Sequence, residues 1–185
     1  MNLHELEQLF IALLGPYNLS VSRKYTPSMD ALRCEVFPEA NHSATNRDVC
    51  DDRAWHLTIH CAEVLAAYSQ LIPGPEGFFK VLTANPLLVN SRTATDWSRF
   101  VIPASSLKIG LPDVMGAAAL LLAYALGSRY VYGMATPGRQ LIRLLHQLGF
   151  REVDSPVSIT VLPGETFSLQ LFTCDLKEVP YSPKE

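Results

Sequence analysis

The chain has 185 residues, of which 48% are hydrophobic and 18% charged. That balance excludes a disordered protein and fits one domain with a sizeable core. Fifteen Lys and Arg against 18 Asp and Glu leave a net charge of −3, with no global basic bias; this argues against a general nucleic-acid binder, while a local basic patch could still meet an acidic partner.

Leu3, Leu6, Leu9, Phe10, Leu13 and Leu14 recur at helical spacing and predict an N-terminal helix over 1–15, ended by Gly15-Pro16. Glu5 and Glu7 stand where a secretory leader would be basic. The four cysteines, Cys34, Cys50, Cys61 and Cys174, show no C-x-x-C spacing and read as reduced thiols of a cytoplasmic protein. Residues 17–35 give only a weak signal from Val21, Tyr25 and Leu32. Phe37 to Arg53 is polar and reads as a long loop, a length that usually goes with function.

Trp55 to His60 alternates like a strand, and Glu63 to Ile72 reads as its return strand, with helix as a competitor because of the alanines. Pro73-Gly74-Pro75 stops it. Ser91 to Ile102 leads into a further strand that ends at Pro103. An Ala- and Leu-rich helix follows Pro112-Asp113 and runs to Leu126, ended by Gly127. It is shorter than the roughly 20 apolar residues that span a bilayer, so a buried helix is expected and no membrane span. Tyr130 to Ala135 is a short strand. Thr136-Pro137-Gly138 turns into a helix with Leu141, Leu144, Leu145 and Leu148 inward and Arg139, Arg143 and His146 on the other side; Gly149-Phe150 ends it. Val157–Leu162 and Phe167–Phe172 are two more strands, and a frayed tail is expected over 179–185. The order predicts a single α/β domain over 1–185 with a mixed sheet.

Three groups of residues could carry chemistry. Asp48-x-x-Asp51, with Asp52, could bind a cationic amine or sulfonium, or form a solvated acidic turn near Arg47 and Arg53. Asp96 and Arg99 are ionisable groups inside a strand, costly there unless paired or used. Three positions apart they point to opposite faces of a regular strand, so a mutual pair needs a bulge or bend; the alternative is a structural ion pair on an edge strand. Arg139, Arg143 and Arg151 could dock an acidic carrier or form an ordinary solvated face. No G-x-S-x-G or P-loop motif is present. His56 and His60 have the spacing of helical zinc ligands but lie on a strand, so no metal is expected.

Several segments together resemble the acyl-homoserine-lactone (autoinducer) synthases of quorum sensing, whose fold is related to the GNAT N-acyltransferases. Leu32-Arg33-Cys34-Glu35-Val36-Phe37 looks like the family's Arg-x-x-x-Phe, and Asp48-Val49-Cys50-Asp51 has the spacing of its D-x-x-D pair. Gln70-Leu71-Ile72-Pro73-Gly74 stands for Arg-Leu-Leu-Pro-Thr, and Asp96-Trp97-Ser98-Arg99-Phe100 for Glu-x-Ser-Arg-Phe. Asn85-Pro86-Leu87-Leu88 lies where the family has a Pro-Tyr-Met-Leu-like stretch. The likeness spans roughly 30–150 and ends in Leu148-Gly149-Phe150. Three positions depart: Gln70 replaces an arginine, Asp96 is a methylene shorter than glutamate, and Ser43 falls near an expected tryptophan.

The resemblance implies a GNAT-like, mostly antiparallel sheet with splayed strands and helices on both faces, and a lid over 37–53. It implies an acyltransferase that moves an acyl group from acyl carrier protein or acyl-CoA to the amine of S-adenosylmethionine, with lactone closure, and no tightly bound cofactor. Asp96 would be the base and Arg99 its catalytic companion. Arg33, Phe37, Asp48, Asp51, Gln70, Ser98 and Phe100 would hold substrate, and Arg139, Arg143 and Arg151 would receive the acidic carrier. The departures leave two alternatives: a related N-acyltransferase with a different amine, and a non-catalytic descendant that binds a small molecule.

Overall fold

The computed structural model describes residues 17–36, 50–74, 93–104, 110–135, 139–162 and 165–177. The expected N-terminal helix, Phe37, Ser43, Asp48, the 85–88 stretch and the 179–185 tail lie outside the described residues, as does most of the 37–53 loop. In chain order the elements are β1 (Tyr17–Ser22), α1 (Pro27–Val36), β2 (Trp55–Cys61), β3 (Val64–Pro73), β4 (Ala94–Val101) and α2 (Leu111–Ala125). Then come β5 (Tyr130–Ala135), α3 (Arg139–Gln147), β6 (Arg151–Leu162) and β7 (Glu165–Asp175). The strands form a seven-stranded sheet in the order β1-β2-β3-β4-β5-β7-β6. Every neighbouring pair is antiparallel except β4 and β5, which run parallel.

The expected hairpin is present, and 64–73 is a strand despite its alanines: Ala66 and Ala67 are buried against β2, where small side chains let a helix approach. Residues 17–35, weak in the sequence, divide into β1 and α1. Pro27 opens α1 with a φ suited to a first turn, and the Thr26 carbonyl accepts from the Met29 and Asp30 amides. Both later helices end as their glycines predict. At Gly127 (φ 80°) and Gly149 (φ 85°) the chain turns left-handed. Ser128 then bonds back to Ala123 and Phe150 to Leu145, the six-to-one closure of a Schellman cap.

The sheet has two unlike faces. On one, α2 and α3 cover Leu57 and Ile59 of β2, Ala67 and Leu71 of β3, Trp97 of β4, Val131 of β5 and Phe172 of β7. Met115, Ala118, Ala119, Leu122 and Ala123 of α2 are fully enclosed in this core. On the other, α1 packs on β3 and β4, with Met29 and Leu32 against Tyr68 and Val101. No helix among the described residues is long and apolar enough to cross a membrane.

Candidate active site

The strand parity that buries Leu71 and Trp97 under α2 turns Gln70, Ile72, Asp96 and Ser98 to the α1 face, since successive side chains alternate. β4 is the middle strand of the seven, not an edge strand. Asp96 sits opposite Ile72 of β3 and Tyr132 of β5 and is 1% exposed. Two residues later the ladder changes. Tyr68 pairs with Val101 but Gln70 with Ser98, so β4 carries one residue more than β3 across this stretch. That is a β-bulge, and Arg99 takes it up with a left-handed φ of 54°. A non-glycine residue held there stores about 1–2 kcal/mol of strain, and such strain gathers at functional positions.

At the same point β4 and β5 part. Their parallel ladder runs from Ala94–Tyr130 to Trp97–Gly133 and stops, while β5 continues along β7 through Ala135. The opening is a cleft of about 50 Å³ lined by Trp97, Ser98, Arg99, Phe100, Met134 and Leu145, among others. Phe100 and Phe150 both lie against the Trp97 ring, so the cleft wall is aromatic and preset. Arg99, at the bulge, lines this cleft. Ion pairs among the described residues include Arg33–Asp51, Arg129–Asp175 and His146–Glu152.

Arg33 and Asp51 are brought together across the α1 face. The Arg33 Nη1 donates to both Asp51 carboxylate oxygens, at 2.9 and 3.0 Å, and the side chains are 2% and 0% exposed. Asp51 is therefore not part of a solvated acidic turn, while its neighbours Asp52 and Arg53 are exposed. Burial acts to lower the Arg33 pKa, but the Asp51 carboxylate overrides it and the net shift is upward, so the guanidinium stays charged. The same Nη1 donates to the Tyr25 hydroxyl at 3.2 Å, and Tyr25 donates to Asp30 at 3.0 Å. Burial raises the pKa of Tyr25 and, further, that of Tyr68, so both stay protonated.

From this pair a chain of buried hydrogen bonds crosses the sheet. His56 Nε2 meets the Asp51 carbonyl at 3.0 Å and Nδ1 meets the Tyr68 hydroxyl at 3.0 Å. Tyr68 Oη is 3.0 Å from Gln70 Oε1, and Gln70 Nε2 is 3.1 Å from Ser98 Oγ. Burial lowers the His56 pKa, opposed by the Asp51 carbonyl it bonds. His56 is no zinc ligand, since both ring nitrogens are engaged. His56, Tyr68 and Tyr25 carry no motif; the available signal was that His56, Tyr68 and Gln70 share one parity across the hairpin, a polar stripe in strands that are otherwise apolar.

Arg143 and Arg151 are exposed, which fits a docking face and an ordinary solvated face alike, and the Arg139 side chain lies outside the described ones. His146 of α3 and Glu152 of β6 are 3.6 Å apart, so these two elements do not carry basic groups alone.

The AHL synthase LasI superposes with a TM-score of 0.64 over 86% of this chain and 89% of its own, at 14% identity. An acetyltransferase of the GNAT family from Streptococcus pneumoniae gives 0.60 over 84% and 98%, at 13% identity. The fold is the GNAT fold. TofI, solved in a ternary complex with an inhibitor and MTA, gives 0.60 over 85% and 91%, at 19% identity. No family model and no curated protein matches the sequence. In a GNAT fold the order of strands and the parallel β4–β5 pair need no sequence likeness, because topology and one bulge suffice to open the cleft.

Proposed function

We propose that the protein is an N-acyltransferase that moves an acyl group from a thioester lying between β4 and β5 to an amine held on the α1 face. The observation that carries the reading is the parting of β4 from β5 directly beside buried Asp96. The amine gives a proton to Asp96, directly or through water, and its nitrogen attacks the thioester carbonyl. Main-chain N–H groups turned by the Arg99 bulge stabilise the tetrahedral oxyanion. The new C–N bond forms, the C–S bond breaks, and the thiolate leaves with the proton.

S-adenosylmethionine is the amine this reading favours. Arg33 orders Asp51 as the motif comparison implies, and the same comparison assigns Phe37 and Asp48, outside the described residues, to substrate as well. Ser98 and Phe100 line the thioester side. The carboxylate oxygen of the acylated product then attacks the carbon bearing sulfur, closing the lactone and releasing methylthioadenosine. TofI, which the chain resembles in fold, was solved with MTA. The donor is acyl carrier protein or acyl-CoA, with Arg139, Arg143 and Arg151 receiving the carrier's acidic surface. The work would be cytoplasmic, where thiols stay reduced.

A second reading, a different amine, draws on Gln70. A neutral carboxamide fully enclosed between Tyr68 and Ser98 stands where the resembled family has a guanidinium. The test is mass spectrometry after incubation with S-adenosylmethionine and a panel of acyl-CoA and acyl-carrier thioesters. Acyl-homoserine lactone with methylthioadenosine supports the first reading. Acylation of another amine selects the second, and no thioester turnover with any acceptor defeats both. Under the first, Gln70→Arg should raise the preference for S-adenosylmethionine over other amines.

A further inference from the structure

The buried chain from Asp51 to Ser98 has a direction, and the direction follows from which atoms can donate. The Asp51 carbonyl only accepts, so the His56 Nε2 that meets it at 3.0 Å must carry a proton. A neutral imidazole then has a bare Nδ1, and the Tyr68 hydroxyl, 3.0 Å away, must donate to it. A hydroxyl has one proton. Tyr68 can then only accept from Gln70, so the carboxamide must present its NH2 to Tyr68 and its oxygen to Ser98. The ends of a carboxamide exchange by a half-turn of the last side-chain bond, and partners decide the orientation. Ser98 then donates its single proton to Gln70 across 3.1 Å.

The opposite order, in which Tyr68 donates to Gln70 Oε1 and Gln70 Nε2 to Ser98, demands that both His56 nitrogens donate. That is an imidazolium, enclosed at 0% exposure. The groups that face His56 do not favour it. Tyr68 from β3 and Tyr25 ahead of α1 are neutral, with ring centroids 5.9 and 5.6 Å away. Arg33 of α1 and Arg23 after β1 are cations that oppose a further charge. Asp51, the carboxylate acting on it among the described residues, is bonded to Arg33. Burial lowers the His56 pKa in the same sense.

We infer that His56, Tyr68 and Gln70 are positioning residues that fix the polarity of Ser98, leaving its hydroxyl oxygen to accept a hydrogen bond at the mouth of the β4–β5 cleft. Ser98 is half-buried, lines that cleft and turns its side chain to the α1 face, so its lone pairs are open to an amine held there. On the acyltransfer reading, on which this part rests, the group they receive is an N–H of the incoming amine. The chain selects an amine over an alcohol or thiol that brings no second donor. It also ties the turn bearing Asp51 to the reacting strand through four hydrogen bonds.

The experiment combines spectroscopy with kinetics. In ¹⁵N-histidine-labelled wild-type protein near neutral pH, the NMR pattern of His56 should show a protonated Nε2 and an unprotonated, hydrogen-bonded Nδ1. Tyr68→Phe should move the Nδ1 signal towards that of a bare nitrogen and leave Nε2 in place. With S-adenosylmethionine and an acyl-CoA panel, Tyr68→Phe should raise the amine KM about threefold to tenfold, the range for one neutral hydrogen bond, with the thioester KM and kcat little changed. His56→Gln, whose carboxamide offers one acceptor and one donor, should restore the amine KM, whereas His56→Leu should not. An imidazolium, or a proton on Nδ1, in the wild type overturns the inference. So does an unchanged amine KM in Tyr68→Phe. A wild type that acylates no amine removes the acyltransfer reading, and the imidazole signals still decide the order of the chain.

Discussion

The two faces of the sheet are built from the same strands and differ in almost everything else. Under α2 and α3 lies a core of alanine, leucine, valine and aromatic side chains, whose buried polar members Ser69 and Thr95 are neutral hydroxyls bonded to Trp97 and Ser128. Under α1 lie Arg33, Asp51, His56, Thr58, Gln70 and Asp96, all buried, and most of the hydrogen bonds described above. An apolar face stabilises by removing area from water, at about 25 cal/mol per Å². A buried polar face gains little net stability, because desolvation offsets most of what its bonds return. One face therefore holds the molecule together, and the other gives up stability to keep polar groups in fixed positions. The cleft opens at Trp97 and Ser98, adjacent residues that belong to opposite faces.

The contrast can be broken experimentally. Asp51→Ala leaves the Arg33 charge enclosed without its carboxylate and should cost about 3–5 kcal/mol in urea unfolding. A loss below about 1 kcal/mol would mean that Arg33 is readily resolvated and the face is not a dry network. Leu122→Ala, in the apolar core, should cost about 2–5 kcal/mol while leaving kcat per folded molecule intact. A matching fall in kcat would show that the two faces are not separate in function. Asp96→Asn should do the reverse. Turnover should fall about 100-fold or more, the range for a lost general base, with the unfolding midpoint nearly unchanged. Retained turnover would remove Asp96 from the chemistry.

The smallest effect is in pH. His56 has a folded pKa below the ordinary value of 6.5. The unfolded chain therefore binds the proton first, and stability is full above 6.5 and falls as pH drops towards the folded pKa. The slope from this group is at most about 1.4 kcal/mol per pH unit. Urea midpoints measured from pH 7.5 down should show that decline, and His56→Gln should flatten part of it. An identical profile in the variant would mean that His56 is not buried as a neutral ring.

Periodicity in the sequence was enough for β2, for α2 and α3 and for their ends, while the alanines of β3 kept helix as a competitor there. Gly127 and Gly149 stop helices by local geometry alone, and local geometry is written in local residues. The α/β order followed from it. Arg33, Asp51, Gln70 and Ser98 were legible as site candidates through motif spacing, and they do gather on one face. Asp96 lies there with them. Residues 17–35 were not legible, because β1 takes its register from β2, and Met29 and Leu32 of α1 find their apolar partners in Tyr68 and Val101.

What the sequence determined by itself was the set of elements and the residue types available for chemistry. Tertiary structure alone decided where Asp96 and Arg99 lie. The reason is a single extra residue in β4: a bulge has no periodic signature, since it exists only as a mismatch with β3. That mismatch sends Arg99 to the cleft, keeps Asp96 on the polar face, and ends the chain from His56 at Ser98, where the strands part.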